Sequence, residues 1–140
     1  MNKYALIESL EEHEGKRRLP YDDSLGFATI GIGHKLDSIP LSDKAIYQIL
    51  QDDIEHTEQE LHRVIPYWHE GLNEERQNVI VEMAFQLGAT GVKGFKRMWE
   101  AIKAENFQLA AKEMTNSRWF KQTPNRAEAL AERMRKGDGS

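Results

Sequence analysis

"HEGKRRLPYDDSLGFATIGIGH", residues 13–34, decides how this chain is read. Upstream of it, Asn2 can cap a helix that runs to about Glu14, with Gly15 as its stop. Ile7, Leu10 and Glu14 share one stripe of that helix, so Glu14 is expected on its buried face. From 19 to 34 the helical period is lost. "DDSLG" supplies turn chemistry, and in "FATIGIGH" Ala28, Ile30, Ile32 and His34 alternate with Phe27, Thr29, Gly31 and Gly33. This spacing predicts a small hairpin in which Gly31 and Gly33 keep one strand face bare, as close approach of a ligand or another backbone requires.

Beyond the hairpin the chain reads as helical. Ser42 caps a long helix with the stripe Ile46, Ile49/Leu50, Ile54, Leu61 and Val64, and Pro66 ends it. Asn73 starts another helix, with Val79, Ile80, Met83, Ala84 and Leu87 inward and Gly88 as its stop. Shorter helices are expected near 95–104 and 107–115. Thr123-Pro124 gives a cap and first-turn proline for a last helix ending near Gly137. The fold class is therefore α+β, mostly helical, with its β structure in a small N-terminal lobe.

Composition bounds the function. The 140 residues suit one domain, 39% hydrophobic and 30% charged residues suit a folded core, and the lack of cysteine excludes disulfides and thiolate chemistry. No apolar run approaches a membrane span, and the first fifteen residues carry no apolar core of a signal peptide, so synthesis in a cytoplasm without stable membrane association is expected. A net charge of −4 argues against nucleic acid as a partner. Five acids and no Lys or Arg lie between Ile49 and His62, while six basic residues face Glu128 and Glu132 between Asn116 and Lys136. These runs read either as solvated helix faces or as a basic C-terminal surface suited to a polyanion.

A carboxyl on an apolar helix face loses hydration, which raises its pKa and lets it donate a proton, and Glu14 is the candidate for that role. Asp23, in a polar turn, is expected to stay ionised as a base, and the Thr29 hydroxyl could hold a water. Two carboxyls with opposite tendencies beside a groove suit glycoside hydrolysis. A metal site is not expected. His13-Glu14 lacks the second histidine of a zinc helix, and Asp22-x-Ser24-x-Gly26 has its glycine one place early for a calcium loop.

The stretch "EG…LPYDD…G…TIGIGH" resembles the active-site region of the phage-type lysozymes, the endolysins of glycoside hydrolase family 24 related to T-even phage lysozyme. The family spacing Glu-x8-Asp-x5-Thr falls on Glu14, Asp23 and Thr29 without a gap, and "AFQLGATGVKGF" (84–95) and "SRWFKQTPNRA" (117–127) continue the likeness. The resemblance implies a two-lobed lysozyme domain over 1–140, with a hairpin lobe at about 15–64 and a helical lobe at about 65–140 that also takes in helix 1–14. It implies a muramidase that cleaves the β-1,4 bond between N-acetylmuramic acid and N-acetylglucosamine with inversion and without a cofactor. Glu14 would be the acid, Asp23 would assist the attacking water, and Thr29 would position it. Gln86, Arg126 and Gly31 would contact substrate, and His34 with Asp53 would form a stabilising ion pair.

The resemblance further implies a monomer acting in phage lysis, made in the host cytoplasm and dependent on a holin to reach periplasmic peptidoglycan. Rival readings are a lytic transglycosylase, which yields an anhydro product, and a peptidoglycan-binding module that does not cleave. The chain also departs from its relatives. Only seven residues separate His34 from Ser42, too few for the third strand and small helix expected of the long forms. Leu25 stands in place of an acid, and Asp22 in place of a base beside Asp23.

Overall fold

The computed structural model describes residues 1–138, which form two compact units, Met1–Tyr47 and a larger one from Gln48 onward. In the first, helix α1 (Lys3–Glu14) starts where the Asn2 side chain accepts the Ala5 N–H at 3.2 Å. It ends at Gly15, whose φ of +78° lets its N–H turn back to the Glu11 carbonyl. The expected caps are both present, but the expected burial is not. No residue of α1 is buried, and Ile7, Leu10 and Glu14 are all exposed. The stripe is narrow and interleaved with Glu8, Glu11 and Glu12, so spacing alone marked a face without supplying its cover.

Three antiparallel strands follow in the order β1 (Arg17–Asp22), β2 (Ala28–Gly31) and β3 (His34–Lys35). Arg17 pairs with Gly31, Tyr21 with Thr29 and Asp22 with Ala28, with an irregularity between Arg17 and Tyr21. Two expectations need correction. The alternating segment 27–34 is not one strand, because the chain reverses at Ile32-Gly33. A third strand also exists despite the short segment before Ser42. Thr29 faces Lys35 and Ile30 faces His34, and the Leu36 N–H adds a 3.0 Å bond to the Ala28 carbonyl. Two paired residues are enough to close the sheet, and only turns and irregular chain lie between Leu36 and Ser42.

Helix α2 (Asp43–Val64) begins as expected, with Ser42 Oγ accepting the Ala45 N–H at 3.1 Å. Of its stripe only Leu61 is buried, whereas Ile46, Ile49, Leu50 and Ile54 are exposed. The second unit packs α3 (Glu74–Leu87), α4 (Ala89–Lys93), α5 (Lys96–Lys103), α6 (Phe107–Thr115), α7 (Arg118–Gln122) and α8 (Pro124–Lys136). Val79, Ile80, Met83 and Ala84 are buried on α3, as its spacing predicts. Met98, Met114, Leu130 and Met134 complete the centre, and unbranched methionines fill an irregular interior well. Five-residue α4 and α7 escaped the sequence reading because one turn shows no period.

Arg76 ties the two ends of this unit together. Its guanidinium lies 3.6 Å from the Phe107 ring centre and donates to the Met134 carbonyl at 2.7 Å and the Arg135 carbonyl at 3.0 Å. It thus satisfies carbonyls that the end of α8 leaves open. Burial lowers its pKa from the ordinary value, yet arginine starts high enough to stay charged. Asn73 Nδ2 adds a 2.9 Å bond to the Gly137 carbonyl.

Candidate active site

Asp23 sits just past β1, where its Oδ1 accepts two backbone donors, Leu25 N–H at 2.9 Å and Phe27 N–H at 2.8 Å. The Asp23 N–H in turn donates to the Phe27 carbonyl at 2.9 Å, and Gly26 N–H to the Asp23 carbonyl at 2.9 Å. A short aspartate side chain that binds backbone a few residues on is the usual way such a turn is closed. Oδ2 has no partner among the described residues, so the turn is pinned by one oxygen and the other is left available.

Thr29 is the one buried polar residue among those described, 2% exposed, on β2. Its hydroxyl donates to the Phe27 carbonyl at 2.7 Å. Having spent its proton there, the oxygen keeps its lone pairs to accept from a water or a sugar hydroxyl. Phe27 backbone is therefore the hub that joins Asp23 to Thr29. No motif in the sequence marks it, because its role is carried by N–H and C=O and not by its ring.

Glu14 reaches the same sheet from the end of α1. Gly33, at φ +67°, backs directly onto it. A Cβ built at Gly33 would stand 3.0 Å from Glu14 Cγ, Cδ and Oε2. The close approach for which the sequence reading kept Gly33 bare, that of a ligand or another backbone, is made here by the carboxyl of Glu14. The desolvation invoked for Glu14 is not observed, since the residue is exposed. Its carboxyl lies instead against the Gly33 backbone. Gly31 also has a left-handed φ, +68°, but nothing lies within 4 Å of its would-be Cβ. Glu14, Asp23 and Thr29 thus all belong to the first unit and surround one three-stranded sheet.

His34, half-buried, opens β3 opposite Ile30 in this unit, while Asp53 lies exposed on α2 in the second. In the second unit Gln86 bridges helices. Its Oε1 accepts the Trp119 indole N–H at 2.9 Å, and its Nε2 donates to Thr123 Oγ1 at 3.3 Å. Thr123 was expected as a cap, but its hydroxyl is used on Gln86 and the Trp119 carbonyl and makes no capping bond. Arg126 is exposed and pairs with Glu82 at 3.1 Å. Arg133 meets Glu75 and Glu82, and Arg135 and Lys136 both meet Glu132. Much of the basic C-terminal run is therefore neutralised by acids of α3 and α8.

An α+β protein with a three-stranded N-terminal sheet and a helical second unit, carrying an acid, an aspartate turn and a buried threonine around that sheet, has the make-up of a lysozyme. The sequence profile described as phage lysozyme matches residues 11–137, and the chain belongs to that family of peptidoglycan-acting glycoside hydrolases. It is 28% identical to "Probable T4-type lysozyme 1" of Dictyostelium discoideum, over 88% of this chain and 89% of that protein. It is 30% identical to the "Pre-baseplate central spike protein Gp5" of Enterobacteria phage T4 over 88% of this chain, which spans only 26% of that longer protein. The "Endolysin" of Salmonella phage P22 is 25% identical over 75% of each chain. No helix among the described residues is long and apolar enough to cross a membrane.

Proposed function

We propose that this chain hydrolyses the β-1,4 bond between N-acetylmuramic acid and N-acetylglucosamine by inverting acid–base catalysis. The observation that supports it is the family's Glu-x8-Asp-x5-Thr spacing, held in one unit by the contact of Gly33 with Glu14 and the Phe27 hub between Asp23 and Thr29. Glu14 protonates the glycosidic oxygen as the bond to the anomeric carbon breaks. The free Oδ2 of Asp23 orients and deprotonates a water, the Thr29 oxygen accepts one of that water's hydrogens, and attack comes from the opposite face. Such a site wants its carboxyls roughly 6.5–9.5 Å apart, to leave room for the water. The chemistry is proton transfer on an acetal and calls for no cofactor.

The rest of the reading follows the family. The chain is one lysozyme domain, and Gly31, Gln86 and Arg126 are its glycan-binding residues. The protein acts as a monomer on the wall of a phage host, reached from the cytoplasm with a holin's help.

The test is digestion of purified Gram-negative peptidoglycan by the parent and by Glu14→Gln, with product ends identified by mass spectrometry. Reducing muramic acid ends from the parent, and almost none from the variant, are expected. Anhydro ends would hand the reaction to a lytic transglycosylase. Retained binding with no new ends would make it a binding module.

A further inference from the structure

The ammonium of Lys35 rests on a ring. Lys35 makes no ion pair among the described residues, and its Nζ lies 4.8 Å from the centre of the Phe27 ring. The sheet brings the two together. Lys35 stands on β3 opposite Thr29 on β2, and opposed residues project to the same face of a sheet. Phe27 lies two residues before Thr29 and shares that face, so the flexible arm of Lys35 spans the diagonal to its ring.

Phe27 is 50% exposed and stands just before β2, where burial alone does not hold its ring. Its peptide groups nevertheless carry three bonds. The N–H donates to Asp23 Oδ1 at 2.8 Å, and the carbonyl accepts the Asp23 N–H at 2.9 Å and the Thr29 hydroxyl at 2.7 Å. A rotation of Phe27 therefore moves the Asp23 carboxylate and the Thr29 oxygen together.

We propose that Lys35 is a positioning residue for the hydrolysis: by clamping the Phe27 ring it fixes the peptide groups that set Asp23 and Thr29. Its link to the reaction rests on the function proposed above, and it acts without touching the glycan. A cation over a half-exposed ring is a modest attraction, so it governs how often the correct geometry is populated and not whether the sheet folds. Arg17 is the comparison. Its guanidinium lies 4.6 Å from the Tyr21 ring centre, a contact of the same kind in the same sheet. Tyr21 pairs with Thr29 in the ladder, yet it binds neither the Asp23 carboxylate nor the Thr29 hydroxyl.

The test compares Lys35→Met, Lys35→Arg, Phe27→Leu and Arg17→Met by peptidoglycan turnover and by amide hydrogen exchange, with Lys35→Gln used if Lys35→Met does not fold. Lys35→Met should lower kcat about three- to fivefold with KM unchanged, the shift that loss of one exposed cation–ring contact gives. Lys35→Arg, which keeps the contact, should restore kcat. Phe27→Leu should lose as much, and the double variant with Lys35→Met no more than either alone. Arg17→Met should keep the parent's kcat. Exchange of the Phe27 amide should quicken about three- to fivefold in Lys35→Met, while that of Ala45, bonded to Ser42 in the same unit, stays as it was. Unchanged kcat in Lys35→Met, a raised KM in its place, or an equal loss in Arg17→Met would overturn the proposal: Lys35 would then be a bystander, a substrate contact, or one surface charge among others. If the parent cleaves nothing, a quickened Phe27 amide beside a steady Ala45 keeps the clamp and removes the hydrolase. A steady Phe27 amide removes the clamp.

Discussion

Replacing Gly33 by alanine perturbs the acid without touching it. The backbone there holds φ +67°, and an L-residue in that region costs about 1–2 kcal/mol. The new methyl would lie 3.0 Å from three atoms of the Glu14 side chain, whereas ordinary contact begins near 3.4 Å. The carboxyl is the mobile partner, so it moves off by several tenths of an ångström, at a cost of about 0.5–1.5 kcal/mol if the shift forces an unfavourable rotamer. Total destabilisation of about 2 kcal/mol lowers the melting temperature by about 6 °C for a chain of this size. Activity should fall further than stability explains, because a misplacement of about 1 Å costs about a hundredfold in rate. We expect kcat on peptidoglycan to drop about tenfold or more. Gly88→Ala is the control: it holds φ +78°, has nothing within 4 Å of its Cβ and lies in the other unit. It should lose similar stability and keep its kcat. If Gly33→Ala melts like Gly88→Ala and retains kcat within about twofold, the claim that Gly33 sets the position of Glu14 is wrong.

Other outcomes follow from the same contacts. Thr29→Val, similar in volume, removes the hydroxyl and should cut kcat by about ten- to a hundredfold while circular dichroism stays native; full activity would free Thr29 of any role with water. Gln86→Ala strands the buried Trp119 indole N–H and should cost about 1–3 kcal/mol in urea unfolding, and an unchanged midpoint would show that water replaces the amide. Gly137→Ala would place its Cβ 2.6 Å from Arg76 Cζ at φ +74°, so α8 should loosen its hold on α3 and the melting temperature should fall by several degrees. Glu132 is held below the usual carboxylate value by its hydrogen bond to Arg135, and Glu60 likewise by Arg63. A folded value below the unfolded one gives stability that is present above the ordinary 4.5 and is lost as pH falls through the folded value. Both pairs are exposed, so that loss should be shallow and should flatten in about 1 M salt; a slope unchanged in Glu60→Gln/Glu132→Gln would mean that the pairs contribute nothing.

How far the sequence reaches is shown by its glycines and its stripes. Caps are local events, and Asn2, Ser42 and Asn73 do what their side chains dictate wherever the rest of the chain lies. The α3 stripe is buried as its spacing requires, since α8 packs against it within one unit. The α1 stripe and the α2 stripe from Ile46 to Ile54 have helical periodicity yet stay exposed, because period 3.6 specifies a face and not a neighbour. The Glu-x8-Asp-x5-Thr spacing was legible only as a family pattern. Nothing in residue type distinguishes a solvated turn aspartate from one whose second oxygen is kept free.

The glycines carry this argument into the site. Gly31 and Gly33 look alike in "TIGIGH", and alternation put them on one bare strand face. Structurally both have left-handed φ, but only Gly33 has a neighbour at the missing Cβ, and that neighbour is Glu14. The hairpin reversal at Ile32-Gly33 therefore serves two ends at once. It returns the chain into β3, which gives Thr29 a partner strand on the side away from β1, and it presents a Cβ-free backbone to the acid. A two-residue third strand is enough for this, because it pairs Thr29 and Ile30 on the edge of β2 that β1 leaves open. Shortening the segment before Ser42 thus removes chain beyond the sheet while keeping each contact that orders Glu14, Asp23 and Thr29 within the first unit. Activity toward a minimal glycan should accordingly depend on Gly33 and Phe27 backbone geometry, and not on the length of the segment 36–41. Inserting two glycines after Asp37 tests this directly: kcat should be unchanged, and a loss as large as that of Gly33→Ala would show that the acid's position is set from that segment as well.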